Sequence, residues 1–510
     1  MNRSNDGVFE QTNTGGSDFL QLDARQAPPG GLAHWLADRL RRAVADGRLP
    51  VGSRLPPSRV LAAELRVSRG VVTEAYRRLA EDGHVSGRGR GGTVVVAAPV
   101  AVSPAVPPRP AGPAPEDGAL FRGAPGADVF EAMRASAARI DLSPGLPDLA
   151  AFPRAAWLRA ERAVLGELAA TELGYGDPRG APVLRRAVAG WLARNRGIRA
   201  APEDVVIVAG VAQALALLAL VLRDEGKDAV AVEDPGSLGV RQQLRGWGVR
   251  TPPVPVDAEG LRVDALRQSG APAVLLTPAH QFPTGVVLGG ERRRAVRRWA
   301  EEGGLVLEDD YDAEHRYGRP PVAALRALLP EHVCYAGSVS KVLAPALRVG
   351  WLLVPRRYRD AVVDAKRLMD LGNAVLPQVV LARLMESGEL ERHLRALRRR
   401  HRRRRDAMVS AIAEELPGAV VHGTAAGLHL LVTFDDGLGT GGLSDVEVAA
   451  EALARGVKAQ PLSWHARLPT GPGLVLGYAA CAPTRIRQGV AVLGDILRDG
   501  GARHSRRHSR

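Results

Sequence analysis

The sequence predicts an α/β protein with a mostly parallel sheet and a small lobe, preceded by a winged helix-turn-helix. Three observations predict it. From residue 139 to about 500, short apolar runs alternate with amphipathic helical patterns, which is how strands and covering helices alternate in such folds. Residues 30–96 carry three helical periodicities and then two β-rich stretches around a glycine-arginine turn. Between them, residues 97–138 are rich in proline and alanine, with few large apolar residues before Phe121, and read as a linker.

Residues 1–29 are polar and read as a flexible N-terminus. The first helix places Leu32, Trp35, Leu36 and Leu40 on one face and ends at Gly47 and Pro50. Ser58 can cap a second helix carrying Val60, Leu61 and Leu65, and Ser68 a third carrying Val72, Ala75, Tyr76 and Leu79, with Gly83 to end it. Residues 84–86 and 93–96 then read as a β-hairpin, the wing. Strand-like runs follow at 205–208, 229–232, 273–276, 305–308, 333–335 and 349–354. The 18-residue apolar run 205–222 is long enough to cross a bilayer, but Gly210 and Gln213 interrupt it, so strand, turn and helix is the better reading. Residues 501–510 read as a basic disordered tail.

The 510 residues suffice for two or three domains. The net charge of +14 is concentrated: residues 30–96 hold 12 arginines against 6 acids, and 391–406 hold 9 against 2. Local basic patches point to a polyanion partner. Cys334 and Cys481 are far apart, which excludes a disulfide framework or a zinc spacing and suits a reducing cytoplasm. No metal site and no membrane partner are expected.

In a helix-turn-helix the third helix enters the major groove by its N-terminal end. Ser68, Arg69 and Thr73 lie there, the last two on one polar face. Arg59, opening the second helix, can reach a phosphate or base edge, and Arg88 and Arg90 fall at the hairpin tip. These six are the candidate contacts to double-stranded operator DNA.

A second constellation carries different chemistry. Gly337-Ser338-Val339-Ser340-Lys341 follows an apolar run and has Arg348 seven positions on. This presents an amine to an aldehyde cofactor while hydroxyls and a guanidinium hold its phosphate. Glu308-Asp309-Asp310-Tyr311-Asp312 closes another strand, where ligand groups gather in open α/β sheets. The turn Ala209-Gly210-Val211-Ala212-Gln213 opens a helix, so the N–H groups of Val211 and Ala212 can hold a phosphate.

Residues 31–96 resemble the GntR-type winged helix. Residues 139–498 resemble fold-type I, pyridoxal phosphate-dependent aminotransferases of class I/II. The joint arrangement resembles the MocR family of bacterial transcription regulators. The resemblance supports Arg59 and Arg69 as DNA contacts. It implies Lys341 as the Schiff-base lysine of pyridoxal 5'-phosphate, Asp309 on the pyridine nitrogen and Tyr311 on the ring hydroxyl. It implies Ser338, Ser340 and Arg348 on the phosphate. Tyr175, in Gly174-Tyr175-Gly176-Asp177-Pro178, matches a tyrosine that reaches the cofactor of the partner subunit in a homodimer. Three positions depart from the pattern. Ser237 stands where an aromatic often stacks on the ring, Gly239 where GABA-responsive members have arginine, and Val475 where aminotransferases bind the substrate carboxylate.

The cofactor-holding set is mostly kept and the substrate-holding set eroded. That favours a cytoplasmic regulator, homodimeric, responding to an amino-acid-like or vitamin B6 effector, without efficient turnover. The alternative is an active aminotransferase carrying a DNA-binding domain. The arginine run 398–405 admits two readings, a solvated helix face with some arginines packed by their stems, or a second phosphate-contacting surface.

Overall fold

The computed structural model describes residues 22–28, 30–87, 92–96, 119–317, 322–434 and 443–508. They fall in two compact units, residues 1–112 and 113–510.

In the first unit, helices Leu32–Ala45, Ser58–Leu65 and Arg69–Glu81 and the antiparallel strands Val85–Gly87 and Thr93–Val95 form the winged helix-turn-helix that the periodicity predicts. Leu36, Leu40, Leu61, Val72 and Leu79 form its buried centre. Ser68 caps the third helix by accepting the Val71 N–H at 3.4 Å. Ser58 does not cap the second. Pro57 takes that position, and Ser58 Oγ accepts from Arg69 Nε at 3.4 Å. The segment expected to be loose packs in part, with Leu22 and Ala27 resting on the same core. Arg88 and Arg90 lie outside the described residues.

The second unit is built on an eight-stranded sheet. Its parallel centre runs Val333–Ser338, Leu305–Asp310, Ala273–Leu276, Val230–Asp234, Pro253–Asp257. Gly350–Leu353 lies antiparallel between Val333–Ser338 and Val205–Val208, and Gly260–Leu261 is the other edge. Helices cover both faces, so alternate residues of one strand enter different cores. Val206 and Val208 join one cluster, Val205 and Ile207 another. The apolar run 205–222 is this strand, a turn at Gly210 with φ 83°, and helix Val211–Asp224. No described helix is long and apolar enough to cross a membrane.

A smaller antiparallel sheet, Ala419–His422, His429–Phe434, Gly473–Gly477 and Gln460–Pro461, forms the second lobe with helices Glu389–Glu415 and Pro483–His508. Two sequence expectations change here. The region assigned to a linker ending at 138 contains a helical turn, Ala119–Phe121, and helix Val129–Ala135. Phe121 stacks on Trp464 at 5.2 Å, and Val129 and Met133 are buried in the small-lobe core. Proline-rich composition hid a short apolar face that is stable only against that lobe. The terminal helix also continues through 501–508, which composition assigned to a disordered tail. Once nucleated by its packed turns, a helix gains a hydrogen bond for each residue added.

Helix Pro182–Arg196 is tied to the central sheet by one buried charge pair. Arg196 Nε meets Asp310 Oδ2 at 2.5 Å, the Tyr335 hydroxyl donates to the same oxygen, and Arg196 Nη1 donates to Val322 O at 2.6 Å. Arg196→Ala would strand a buried carboxylate. It is expected to destabilise the second unit by about 3–5 kcal/mol, read as a lower unfolding temperature by calorimetry.

Candidate functional site

Arg59, Ser68, Arg69 and Thr73 are all exposed, at the starts of the second and third helices of the winged helix. The Arg69–Ser58 hydrogen bond brings these two helix starts together. Arg77 and Arg78, further along the third helix, are engaged by Glu74, and Arg77 also by Glu81. The arginines left open to an anion are therefore at the N-terminal end.

In the second unit a cavity of about 350 Å³ is lined by Lys341, Asp309 and Tyr311, among others. Lys341 follows strand Val333–Ser338, and its Nζ donates to Gly145 O. Gly145 has φ 79°, and a Cβ there would lie 3.4 Å from Nζ. Burial pulls the Lys341 amine below its ordinary range, against the opposing pull of Asp312 and Asp309.

The acidic stretch next to it is resolved by its partners. Glu308 accepts the N–H groups of Leu325 and Arg326, each at 3.0 Å. Asp310 holds Arg196, and Asp312 meets His280 Nδ1 at 2.9 Å. Asp309 and Asp310 each have a buried Oδ1 without a hydrogen-bond partner, but the other oxygen of Asp310 is held by Arg196, whereas Asp309 pairs with no arginine among the described residues. Burial, then Asp310 and Asp312, push its carboxyl up to about 7. Tyr311 donates its hydroxyl to His280 O at 3.1 Å.

Ser338, Ser340, Arg348, Val211 and Ala212 are not in the cavity lining; they gather at the N-terminus of helix Val211–Asp224. Arg348 donates to Ala209 O, and a Cβ on Gly210 would lie 3.3 Å from its Nη1. A Cβ on Gly350, which pairs with Ser338, would sit 3.0 Å from the Gly210 Cα. Ser338 Oγ accepts the Ser340 N–H at 3.4 Å. First-turn N–H groups such as those of Val211 and Ala212 lack intrahelical acceptors. A guanidinium, hydroxyls and open N–H groups make this corner an anion cradle. The half-buried amine, the orphaned carboxyl oxygen and the cradle fit a phosphorylated pyridine aldehyde.

Tyr175 does not line the cavity and is 94 % exposed. Ser237 lines the cavity, and its Oγ accepts the Val240 N–H at 3.3 Å. A Cβ on Gly239 would lie 3.4 Å from the Phe130 ring. Val475 is buried against Leu431 and Leu462 and does not line the cavity. Sequence reading missed Phe130 and Met133, which line the cavity from the segment taken for linker. Their spacing of three on one helical face was the available signal. It also missed Glu233, whose carboxyl burial raises to about 7 while Thr277 Oγ1 donates to it at 2.7 Å. No metal set was expected, yet ligand atoms of His280, Asp312 and His429 lie within 4.8 Å of one another. Among these, His280 Nδ1 is engaged by Asp312, and His429 Nε2 lies 3.2 Å from Pro283 O.

Residues 139–464 match the family model for aminotransferase class I and II, and 32–95 that for bacterial regulatory proteins of the gntR family. The chain is 32% identical to the probable rhizopine catabolism regulatory protein MocR of Rhizobium meliloti, covering 89% of this chain and 91% of that one. It is 31% identical to the pyridoxine biosynthesis transcriptional regulator PdxR of Corynebacterium glutamicum, covering 92% and 96%. Its fold is similar to that of a kynurenine aminotransferase from Pyrococcus horikoshii, with TM-score 0.66 and 27% identity over 73% of this chain and 93% of that one.

The raised carboxyls predict a pH dependence. The folded Asp309 holds its proton to about 7, against an ordinary value of 3.8. Its contribution is therefore fully present below 3.8 and lost as pH rises through about 7. The melting temperature of the cofactor-free protein should fall across that interval, and fall less steeply in Asp309→Asn. Parallel profiles for the two proteins would contradict this.

Proposed function

The chain belongs to the MocR family of transcription regulators, a GntR-type winged helix joined to an aminotransferase class I/II domain, and on that premise we propose that its second unit senses an effector through pyridoxal 5'-phosphate. One observation carries the reading: the half-buried amine of Lys341 and the carboxyl of Asp309, whose Oδ1 is buried without a hydrogen-bond partner, line one cavity. The bound cofactor would supply an aldehyde carbonyl and an electron-withdrawing pyridine ring.

Burial favours the neutral Lys341 amine, the form that adds to a carbonyl. Asp309 would face the pyridine nitrogen and Tyr311 the ring oxygen. Ser338, Ser340, Arg348 and the N–H groups of Val211 and Ala212 would hold the phosphate. Tyr175 would act from the partner subunit of a homodimer. Its exposure supports this. Arg59, Ser68, Arg69 and Thr73 would contact operator DNA in the cytoplasm. An amino-acid-like or vitamin B6 effector would act by binding two arrangements of the regulator with different affinity. Ser237, a serine in the cavity wall where an aromatic often stacks, and Val475, buried away from the cavity, support sensing over turnover.

Borohydride reduction with the cofactor present should add a pyridoxyl phosphate mass to Lys341 in the wild type and none in Lys341→Ala. Arg348→Ala should weaken cofactor binding by about 10- to 100-fold, the loss of a charge-assisted contact of about 1.5–3 kcal/mol. Operator binding should respond to the cofactor in the wild type and not in Lys341→Ala; an identical response in both would refute sensing at this lysine. Sustained turnover of amino donors that Lys341→Ala abolishes would restore the aminotransferase alternative.

A further inference from the structure

The arginine run of helix Glu389–Glu415 resolves into three sets. Arg404 is buried, donating to Ala479 O and meeting Asp148 at 2.8 Å. Arg398, Arg400 and Arg405 flank it and are held by Glu314 O, Asp148 and Thr424 O. Arg395, Arg399, Arg402 and Arg403 are exposed and form no ion pair or hydrogen bond among the described residues.

At 3.6 residues per turn these four fall within an arc of about 100°. The buried residues Leu394, Leu397, His401 and Met408 lie on the opposite side. Of the nearby acids, Glu391 faces Arg194 at 3.7 Å and Asp406 pairs with Arg405. Arg395–Arg399 and Arg399–Arg403 are like-charge pairs four residues apart, an arrangement that destabilises a helix. Among the described residues no ion pair to these four arginines offsets that repulsion. An external polyanion would offset it.

We infer that this face is a second DNA-contacting surface, which takes the phosphate backbone of a duplex without reading its sequence. From Arg395 to Arg403 the helix advances about 12 Å. Over that length one DNA strand presents three or four phosphates, at about 3.4 Å of axis each. Guanidinium groups pair bidentately with phosphate, which suits arginine here over lysine. The same chain carries a winged helix, so a bound duplex is held at high effective concentration. The inference rests on the regulator reading only in requiring DNA; the cofactor plays no part in it.

The test is the salt dependence of full-length protein binding to a duplex of unrelated sequence, followed by fluorescence anisotropy. The slope of log affinity against log salt should become shallower by about 3 to 4 in R395Q/R399Q/R402Q/R403Q, at about 0.9 per phosphate released. R399Q/R403Q, a lighter change, should show about half that shift, and replacement of all four by lysine should keep most of the wild-type slope. Binding with equal slopes in wild type and both glutamine sets overturns the surface alone. No duplex binding by the wild type at low salt overturns the surface and the DNA-binding reading together. Binding to phosphatidylserine vesicles that the glutamine sets lose, with DNA slopes unchanged, would assign the face to a membrane and equally overturn it.

Discussion

The second unit is organised by the cost of burying an acidic stretch. Glu308, Asp310 and Asp312 are buried, and Asp309 carries its carboxyl oxygen into the interior beside them. Ionised carboxylates in such a setting must be paired or protonated. Each finds a different answer, and each answer recruits another part of the chain. Glu308 draws in the N–H groups of Leu325 and Arg326, Asp310 the arginine that ends helix Pro182–Arg196, and Asp312 the imidazole of His280. The lone carboxyl, Asp309, is the one that lines the Lys341 cavity. The same constraint that fastens the helices to the sheet thus selects which acid remains available for chemistry.

Charge is divided in a comparable way on the outside. Most surface arginines have acids within reach, and such pairs contribute little stability each. Others, such as Arg154, Arg186 and Arg245, are exposed without such a partner and stand apart, but four fall together on one helix face. The N-terminal end of the winged helix's third helix leaves Arg69 open to an anion, and the outward face of helix Glu389–Glu415 leaves four arginines without partners. A net charge that is modest for the chain as a whole becomes strong at two places suited to phosphate.

Several features were legible from residues alone because they are local. Helix caps, alternating apolar runs and the hydroxyl–lysine–arginine spacing depend on neighbours a few positions away. The winged helix and the parallel sheet follow from such spacing, whereas the meeting of Ser338, Ser340 and Arg348 with a helix N-terminus more than 120 residues away does not. The failures have a common cause. Val129, Phe130 and Met133 looked like linker because the core they pack into includes small-lobe residues such as Trp464, more than 330 positions on in the sequence. Ser58 looked like a cap because its competing partner, Arg69, belongs to the next helix.

By itself, then, the sequence determined the order and type of the elements and the chemical inventory: an amine among hydroxyls, an acidic strand end, a basic helix start. Those are set by short-range periodicity and by residue type. Only the tertiary structure decided which member of each set is free. Asp309 rather than its neighbours, the outward arginines rather than the buried ones, and Phe130 at the cavity wall all depend on what packs against them. Desolvation makes that decision, because a buried polar group is defined by its partners, and partners distant in sequence meet only when the chain has folded.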